Sequence, residues 1–142
     1  MKNVLISLKG FSENEEEIEF ITEGKYHSEN GKYYITYKET EMTGMEGTTT
    51  TLQVKDNIVE LIRKGTVNSN FIFEEGISNI SKYETQYGIF TIEIKANSIN
   101  TNIDDSGGVI EMEYSLNLMD GKNSNNKFYM TIKEVNKHEY NQ

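Results

Sequence analysis

The chain has 142 residues, with 14 Lys and Arg against 23 Asp and Glu, and therefore a formal net charge of −9. This length predicts one domain, residues 1–142, with enough buried surface for a single hydrophobic core. The absence of cysteine excludes disulfide scaffolds, thiol nucleophiles, Cys-ligated zinc and iron–sulfur clusters. The negative charge, with no run rich in Lys and Arg, argues against nucleic acid and membrane surfaces as partners.

The hydropathy pattern predicts an ordered cytoplasmic protein. The longest apolar run, residues 4–6, is far shorter than the roughly 20 residues of a membrane span or the roughly 7–15 of a signal-peptide core. Only 35% of the chain is hydrophobic, but 11% is aromatic, and Ile, Thr and Tyr are frequent. Disordered chains lack these residues, so we expect a folded domain.

Apolar residues in the first third of the chain recur with period 2, which predicts β-strands. Asn30 and Gly31 form a strong signal for a two-residue hairpin turn between the second and third strands. We therefore expect a three-stranded meander. The faces predicted to be buried are Val4, Ile6 and Leu8; then Ile18, Phe20, Thr22, Gly24 and Tyr26; then Tyr33, Ile35, Tyr37, Glu39 and Glu41.

The same period continues to the C-terminus, with a turn at Asp56 and Asn57. About eight to nine half-buried antiparallel strands result, and a closed barrel buries their apolar faces without leaving sheet edges. An open two-sheet sandwich is the alternative. The remaining inward faces are Thr48, Thr50, Leu52 and Val54; Val59, Leu61 and Arg63; Phe71 and Phe73; Phe90, Ile92, Ile94 and Ala96; Ile110, Met112, Tyr114, Leu116 and Leu118; and Phe128, Met130 and Ile132.

Several stretches together resemble the YwiB-like family of small uncharacterised bacterial proteins with a calycin-type β-barrel. They are residues 34–41, Gly47, 51–54, 62–65 and 83–88, with 114–116 and 128–132 matching the closing strands of that family. The resemblance implies an antiparallel barrel of about eight to ten strands, distantly similar to lipocalins and fatty-acid-binding proteins. It implies no established activity.

Arg63 is the only arginine of the chain. Arginine suits fixed, forked pairing with a carboxylate or phosphate. The alternation of its strand places Arg63 on the inward face, where it is expected to meet Glu39 or Glu41 of the predicted third strand. A structural ion pair is the more common use of such a residue, and a buried pair is no proof of a binding site.

The functional interpretation of Arg63 is a cationic anchor for the acidic head group of a ligand. Tyr37, Thr48 and Thr50 would supply further hydrogen bonds. Tyr83, Thr85 and Tyr87 recur at period 2 and could ring the mouth of a cavity, although such a set more often plugs a barrel end. The predicted ligand-binding residues are Arg63, Tyr37, Glu39, Thr48, Thr50, Tyr83 and Tyr87.

No catalytic residue, metal site or cofactor is predicted. His27 and His138 lack partners for a hydrolytic triad or a metal site. The acidic run at residues 13–17 is interpreted as a solvated connection. Residues 120–125 and 104–108 are interpreted as turns, because the first lacks the ligand spacing of a calcium loop and neither has a phosphate-binding glycine pattern.

Three functions remain open at this point. The first is a non-enzymatic barrel that binds a small, partly apolar, acidic molecule. The second is a protein-interaction module or homodimer with no small-molecule ligand. The third is an enzyme with Glu39 as general base and Arg63 steadying an anion, although we expect no enzymatic activity. The lumen predicted for the first function is lined by Phe20, Tyr37, Phe90, Ile92, Met112, Tyr114 and Met130.

Overall fold

The computed structural model describes residues 1–13, 15–118 and 121–135, apart from the side chains of Glu15 and Glu16. This part of the chain forms one closed antiparallel sheet, in the order β1-β10-β9-β8-β7-β6-β5-β4-β3-β2. Its strands are β1 (Lys2–Ser12), β2 (Glu15–Glu29), β3 (Lys32–Lys38), β4 (Thr48–Lys55), β5 (Ile58–Gly65), β6 (Asn68–Phe73), β7 (Ser78–Thr85), β8 (Gly88–Asp104), β9 (Gly107–Leu118) and β10 (Asn123–Glu134).

Each strand pairs with the next along the chain, and β1 pairs with β10 to close the barrel. The predicted closed antiparallel barrel is therefore confirmed, and the open sandwich is wrong. The count exceeds about eight to nine strands because β7 is a strand where the sequence predicted only an extended segment at residues 83–87. No helix in the described ranges is long and apolar enough to cross a membrane.

Short turns set the register of the N-terminal half. Asn30 and Gly31 join β2 to β3 with φ values of 54° and 77°, and Asp56 and Asn57 join β4 to β5 with 51° and 61°. Positive φ at both central residues gives a turn whose twist matches that of the flanking strands. Both predicted hairpins are present as a result.

The barrel interior is packed with the residues that alternation placed inward. Ile6 of β1, Ile35 of β3, Leu52 of β4, and Ile110 and Met112 of β9 are buried there. Burial of one face of every strand is the main contribution to the stability of such a fold.

Two residues predicted to be buried are exposed because a neighbouring strand stops short. Ile18 is 44% exposed, since β3 pairs with β2 only from Gly24 onward. Phe90 is 47% exposed, since β9 pairs with β8 only from Ile92 onward. The prediction that Phe90 lines the lumen is therefore wrong. Alternation places a side chain on one face of a strand, but only a neighbouring strand covers it.

β8 contains a β-bulge and continues past it, well beyond the end of the strand that the sequence predicts. The register against β9 shifts between Ala96 and Ser98, and burial changes from Ile94 and Ala96 to Ile99. An extra residue in one strand inverts the inward and outward alternation. The period-2 pattern therefore ends at the bulge, although the strand continues to Asp104.

Candidate ligand-binding site

A row of polar side chains crosses five neighbouring strands on the inner face of the barrel. Tyr37 of β3 is paired in register with Thr50 of β4, and Thr50 with Arg63 of β5. Arg63 is in turn paired with Ser69 of β6, and Ser69 with Tyr83 of β7. We call these five residues the polar row. They lie at one level of an otherwise apolar interior, which is an expensive place for polar groups that lack partners.

A cavity of about 260 Å³ lies inside the barrel against the polar row. Its wall is mainly aromatic and aliphatic, and among the described residues Arg63 is the only charged side chain that lines it. Few polar groups in an apolar wall are typical of small-molecule sites. The lining residues are Met45, Leu61, Arg63, Phe71, Phe73, Tyr83, Ile92, Ile94, Tyr114, Leu116 and Phe128.

Larger hollows lie elsewhere, with volumes of about 620, 710 and 630 Å³. Most of the residues around them, such as Lys38, Asn100 and Lys127, belong to the outward faces of the strands. None of these hollows is lined by a residue with a buried polar atom that lacks a partner. The interior cavity is therefore the better candidate despite its smaller size.

The Arg63 side chain reaches the cavity without forming an ion pair. Its guanidinium carbon lies 6.0 Å from the centre of the Phe71 ring. Its Nε is buried and has no hydrogen-bond partner among the described residues. The structure does not form the expected pair with Glu39, and Glu41 lies in an exposed 3-10 turn, Glu41–Thr43, after β3 has ended at Lys38.

Two more buried polar atoms near the row lack partners among the described residues, namely Oε2 of Glu39 and Oγ of Ser69. Glu39 is 6% exposed and Ser69 is 7% exposed. Thr50 Oγ1 donates a hydrogen bond of 3.0 Å to the other Glu39 oxygen, Oε1. Native proteins leave few buried polar groups unpaired, so three at one end of one interior indicate a place for a further molecule.

The tyrosines near Arg63 are neutral hydrogen-bonding groups at physiological pH. Burial raises the pKa of the Tyr37 hydroxyl, the charge of Glu39 raises it further, and the charge of Arg63 lowers it. Burial likewise raises the pKa of Tyr114, against a lowering effect of Arg63. Side-chain hydrogen bonds with Glu39 and Thr50 act on the pKa of Tyr37 as well, the first raising it and the second lowering it. Both hydroxyls therefore stay protonated as hydrogen-bonding groups.

The connection between β3 and β4 closes the cavity at one end. Met45 of this connection lines the cavity, and its sulfur lies 3.9 Å from the Tyr83 hydroxyl. The Tyr83 ring stacks on Phe71 with the ring centres 6.0 Å apart. Tyr83 thus links the covering loop to the aromatic wall on which Arg63 lies.

Thr48 is buried, but its hydroxyl is already used. Its Oγ1 accepts a hydrogen bond of 3.1 Å from the backbone N–H of Val67, in the turn between β5 and β6. Gly65 ends β5 next to this contact with φ 134°, and a side chain there would overlap the carbonyl oxygen of Gly47. Thr48 therefore holds the β5–β6 turn against β4 and does not line the cavity.

The structure brings together most of the predicted site. Arg63 and Tyr83 line the cavity. Tyr37 and Thr50 are in register with Arg63 along the polar row, and Glu39 is hydrogen-bonded to Thr50, whereas Thr48 is structural. The assignment of Tyr87 to the site is wrong. Tyr87 lies in the turn after β7 and is 84% exposed, because its strand has ended and alternation no longer holds.

Sequence reasoning missed Ser69, Met45 and much of the aromatic wall. Ser69 precedes Phe71 and Phe73 at period 2, so extending that pattern backward along β6 would have found it. Met45 lies in a loop, where no periodicity points inward. Which aromatic residues face a cavity and which face packed core depends on the curvature of the sheet.

The remaining sequence interpretations concern the surface. His27 is partly exposed, and its ring lies 3.3 Å from a carboxylate oxygen of Glu29. Glu13 accepts a hydrogen bond of 3.2 Å from the Asn125 backbone N–H. His138 and Asp120 lie outside the described residues. In the described part of the chain, no group of three or more His, Cys, Asp or Glu side chains is placed to hold a metal ion.

Known proteins share both the sequence and the fold of this chain. The family described as Domain of unknown function (DUF1934) matches residues 6–130. The uncharacterized beta-barrel protein YwiB of Bacillus subtilis (strain 168) is 32% identical over 107 residues, which are 75% of this chain and 74% of YwiB. The crystal structure of YwiB from Bacillus subtilis has a TM-score of 0.80 at 24% identity and covers 95% of this chain and 93% of its own. The predicted resemblance is confirmed, and the chain belongs to the DUF1934 family.

Proposed function

We propose that this protein binds a small, partly apolar, acidic molecule inside the barrel, with the acid group on Arg63. The observation that carries the proposal is the guanidinium, which borders an apolar cavity and has no carboxylate partner within 4.0 Å among the described residues. Arg63 is half-buried and its Nε is fully buried, and a charge that is partly removed from water is costly unless it is paired. An anionic ligand would supply the missing partner.

The cavity limits the ligand to a modest size. Its volume of about 260 Å³ equals about nine water molecules at roughly 30 Å³ each in the liquid. Sites for drug-sized molecules begin at about 300 Å³. The aromatic residues of the wall, among them Phe71, Tyr83 and Tyr114, favour a ligand with one ring or a short branched chain.

The proposed function is ligand binding without catalysis. Glu39 as a general base would need a reacting group within hydrogen-bond reach, and the sequence provides no second catalytic partner. A cytoplasmic location, the absence of enzymatic activity, and the alternative of a protein-interaction module or homodimer stay predictions from the sequence. The calycin-type relationship, and with it the distant similarity to lipocalins, also stays a prediction.

Two probes with the same carbon skeleton, 3-phenylpropionate and the uncharged 3-phenylpropanol, test whether binding depends on the acid group of the ligand. Isothermal titration calorimetry at pH 7 would compare the wild type with Arg63→Met. A hydrogen bond to a charged group contributes about 1.5–3 kcal/mol, so the acid should bind the variant about 10- to 100-fold more weakly. Binding of the alcohol should change little.

Lys64→Met is the matched control, because Lys64 is the next residue of β5 and its exposed side chain lies on the outer face. It removes the same charge without touching the cavity. Native mass spectrometry of protein purified without denaturant tests for a ligand acquired in the cell. The proposal fails if the bare chain mass is found and neither 3-phenylpropionate nor other small acids bind in an Arg63-dependent manner.

A further inference from the structure

The barrel interior holds a buried negative charge, Glu39, and a half-buried positive charge, Arg63. Glu39 is the only charged residue of the described chain that is buried, and Arg63 is the only basic side chain that lines the cavity. From this pair we infer that the ligand is a zwitterion of the amino-acid type, with its acid group on Arg63 and its ammonium group on Glu39. The inference rests on the proposed function and adds the chemical class of the ligand.

Thr50 lies between the charged groups of Glu39 and Arg63. Across the sheet it is paired with the position of Arg63, and its hydroxyl donates to Glu39 Oε1 over 3.0 Å. The Arg63 guanidinium lies against Phe71 and forms no ion pair with Glu39. The Tyr37 side chain also interacts with the Glu39 carboxylate. Oε2 of Glu39 and Nε of Arg63 nevertheless have no hydrogen-bond partner of ordinary geometry among the described residues.

The charges of Glu39 and Arg63 both act on one buried hydroxyl, that of Tyr37. Apart from burial, the two influences that most alter the pKa of the Tyr37 hydroxyl are the charges of Glu39, which raises it, and Arg63, which lowers it. Tyr37 itself belongs to the polar row, in register with Thr50. A molecule beside these residues is therefore within electrostatic range of both the carboxylate and the guanidinium.

Charge balance decides between a simple acid and a zwitterion. A simple anion would neutralise Arg63 and leave the Glu39 carboxylate in the same dry interior without a counter-charge, which is strongly unfavourable. An ammonium group on the same ligand removes this penalty. It also provides N–H donors for Glu39 Oε2, while the Ser69 hydroxyl remains available to the acid group.

The test uses four probes that share the phenylpropanoate skeleton. They are 3-phenylpropionate, phenylalanine, 3-amino-3-phenylpropionate and 3-phenyllactate, so the ammonium group is absent, on Cα, on Cβ, or replaced by a hydroxyl. Dissociation constants would be measured by calorimetry at pH 7. We expect one of the two amino acids to bind at least about tenfold more tightly than 3-phenylpropionate.

Glu39→Gln keeps the shape of Glu39 and removes its charge. In this variant the preference for the amino acid should fall to about twofold or less, since simple 3-phenylpropionate no longer leaves a buried carboxylate uncompensated. Glu41→Gln is the control, because Glu41 is exposed two residues further along and its change should leave all four affinities as they are. Should Glu39→Gln fail to fold, the wild-type comparison alone decides.

The outcomes separate the two claims. Arg63-dependent binding of all four probes with no preference for either amino acid would overturn the zwitterion and leave the proposed function intact. A preference for 3-phenyllactate over both amino acids would also overturn it, because the hydroxyl carries no charge. Failure of every probe to bind in an Arg63-dependent manner would count against the proposed function itself, and the zwitterion would fall with it.

Discussion

Replacing Arg63 with methionine should stabilise the ligand-free protein. The guanidinium Nε is buried without a hydrogen-bond partner among the described residues. Methionine has a similarly long unbranched side chain, fills irregular apolar space and has no polar hydrogen to leave unpaired. A residue kept for binding a ligand is expected to cost stability when the ligand is absent.

The magnitude follows from the contacts of Arg63. An unsatisfied buried donor costs about 1–3 kcal/mol, and we use about 1.5 kcal/mol, in the lower half of this range, because the guanidinium borders the cavity. Loss of the contact with Phe71, at 6.0 Å from the ring centre, offsets about 0.5–1 kcal/mol. The net gain is therefore about 0.5–1 kcal/mol. If Arg63 were instead half of a buried ion pair, the same change would cost about 3–5 kcal/mol.

Urea unfolding at pH 7 measures this difference. Protein unfolded and refolded in urea should be used, because a molecule retained from the cell would stabilise only the wild type. With a slope of about 1–3 kcal/mol per molar urea, the midpoint of Arg63→Met should rise by several tenths molar. Lys64→Met should stay within about 0.5 kcal/mol of the wild type, as exposed substitutions usually do. A midpoint lowered by more than 1 M in Arg63→Met alone would refute the reasoning and restore the structural ion pair.

Two further predictions concern single side chains near the cavity. Thr48→Val removes the acceptor of the Val67 N–H and should lower the free energy of unfolding, measured in urea, by about 1–3 kcal/mol. Thr49→Val, on the outer face of β4, is the control and should change this free energy little. Equal effects of the two substitutions would contradict the role given to Thr48. Burial raises the folded-state pKa of Tyr37. The neutral Tyr37 hydroxyl therefore contributes fully to the stability of the fold below its unfolded-state pKa near 10, and this contribution is lost as the pH rises above that value. Between about pH 10 and 11.5 the free energy of unfolding of the wild type should fall by about 1.4 kcal/mol per pH unit more than that of Tyr37→Phe. Parallel stability curves for the two proteins would contradict this, because they would mean that Tyr37 ionises as easily in the folded as in the unfolded state.

The agreement with the YwiB structure bears on the fold more than on the site. At 24% identity over nearly the whole chain, the two proteins share the closed barrel. The proposed chemistry depends instead on particular side chains of this chain, above all Arg63, Glu39 and Ser69. Function in such a barrel resides in the residues that face its interior, and the fold alone does not imply it.

Period 2 in the sequence was sufficient to predict the class of fold and most of the buried faces. It worked best where a strand has neighbours along its whole length, as β4 has, because both neighbours then cover the same face. It failed at Ile18 and Phe90, where a neighbour ends early, and beyond Ala96, where a bulge reverses the alternation.

Local pattern by itself therefore predicted half-buried antiparallel strands with a single inward arginine, and it favoured a closed barrel over an open sandwich. Whether Arg63 meets Glu39, and which side chains surround it, was decided only by the tertiary structure. The strand register puts Thr50 between the two charges and brings Phe71, Tyr83 and Met45 from three separate segments against one cavity. The physical reason is that alternation is a property of one strand, whereas the partners of a buried charge come from strands and loops far apart in the chain, and their distances depend on how the sheet curves and closes.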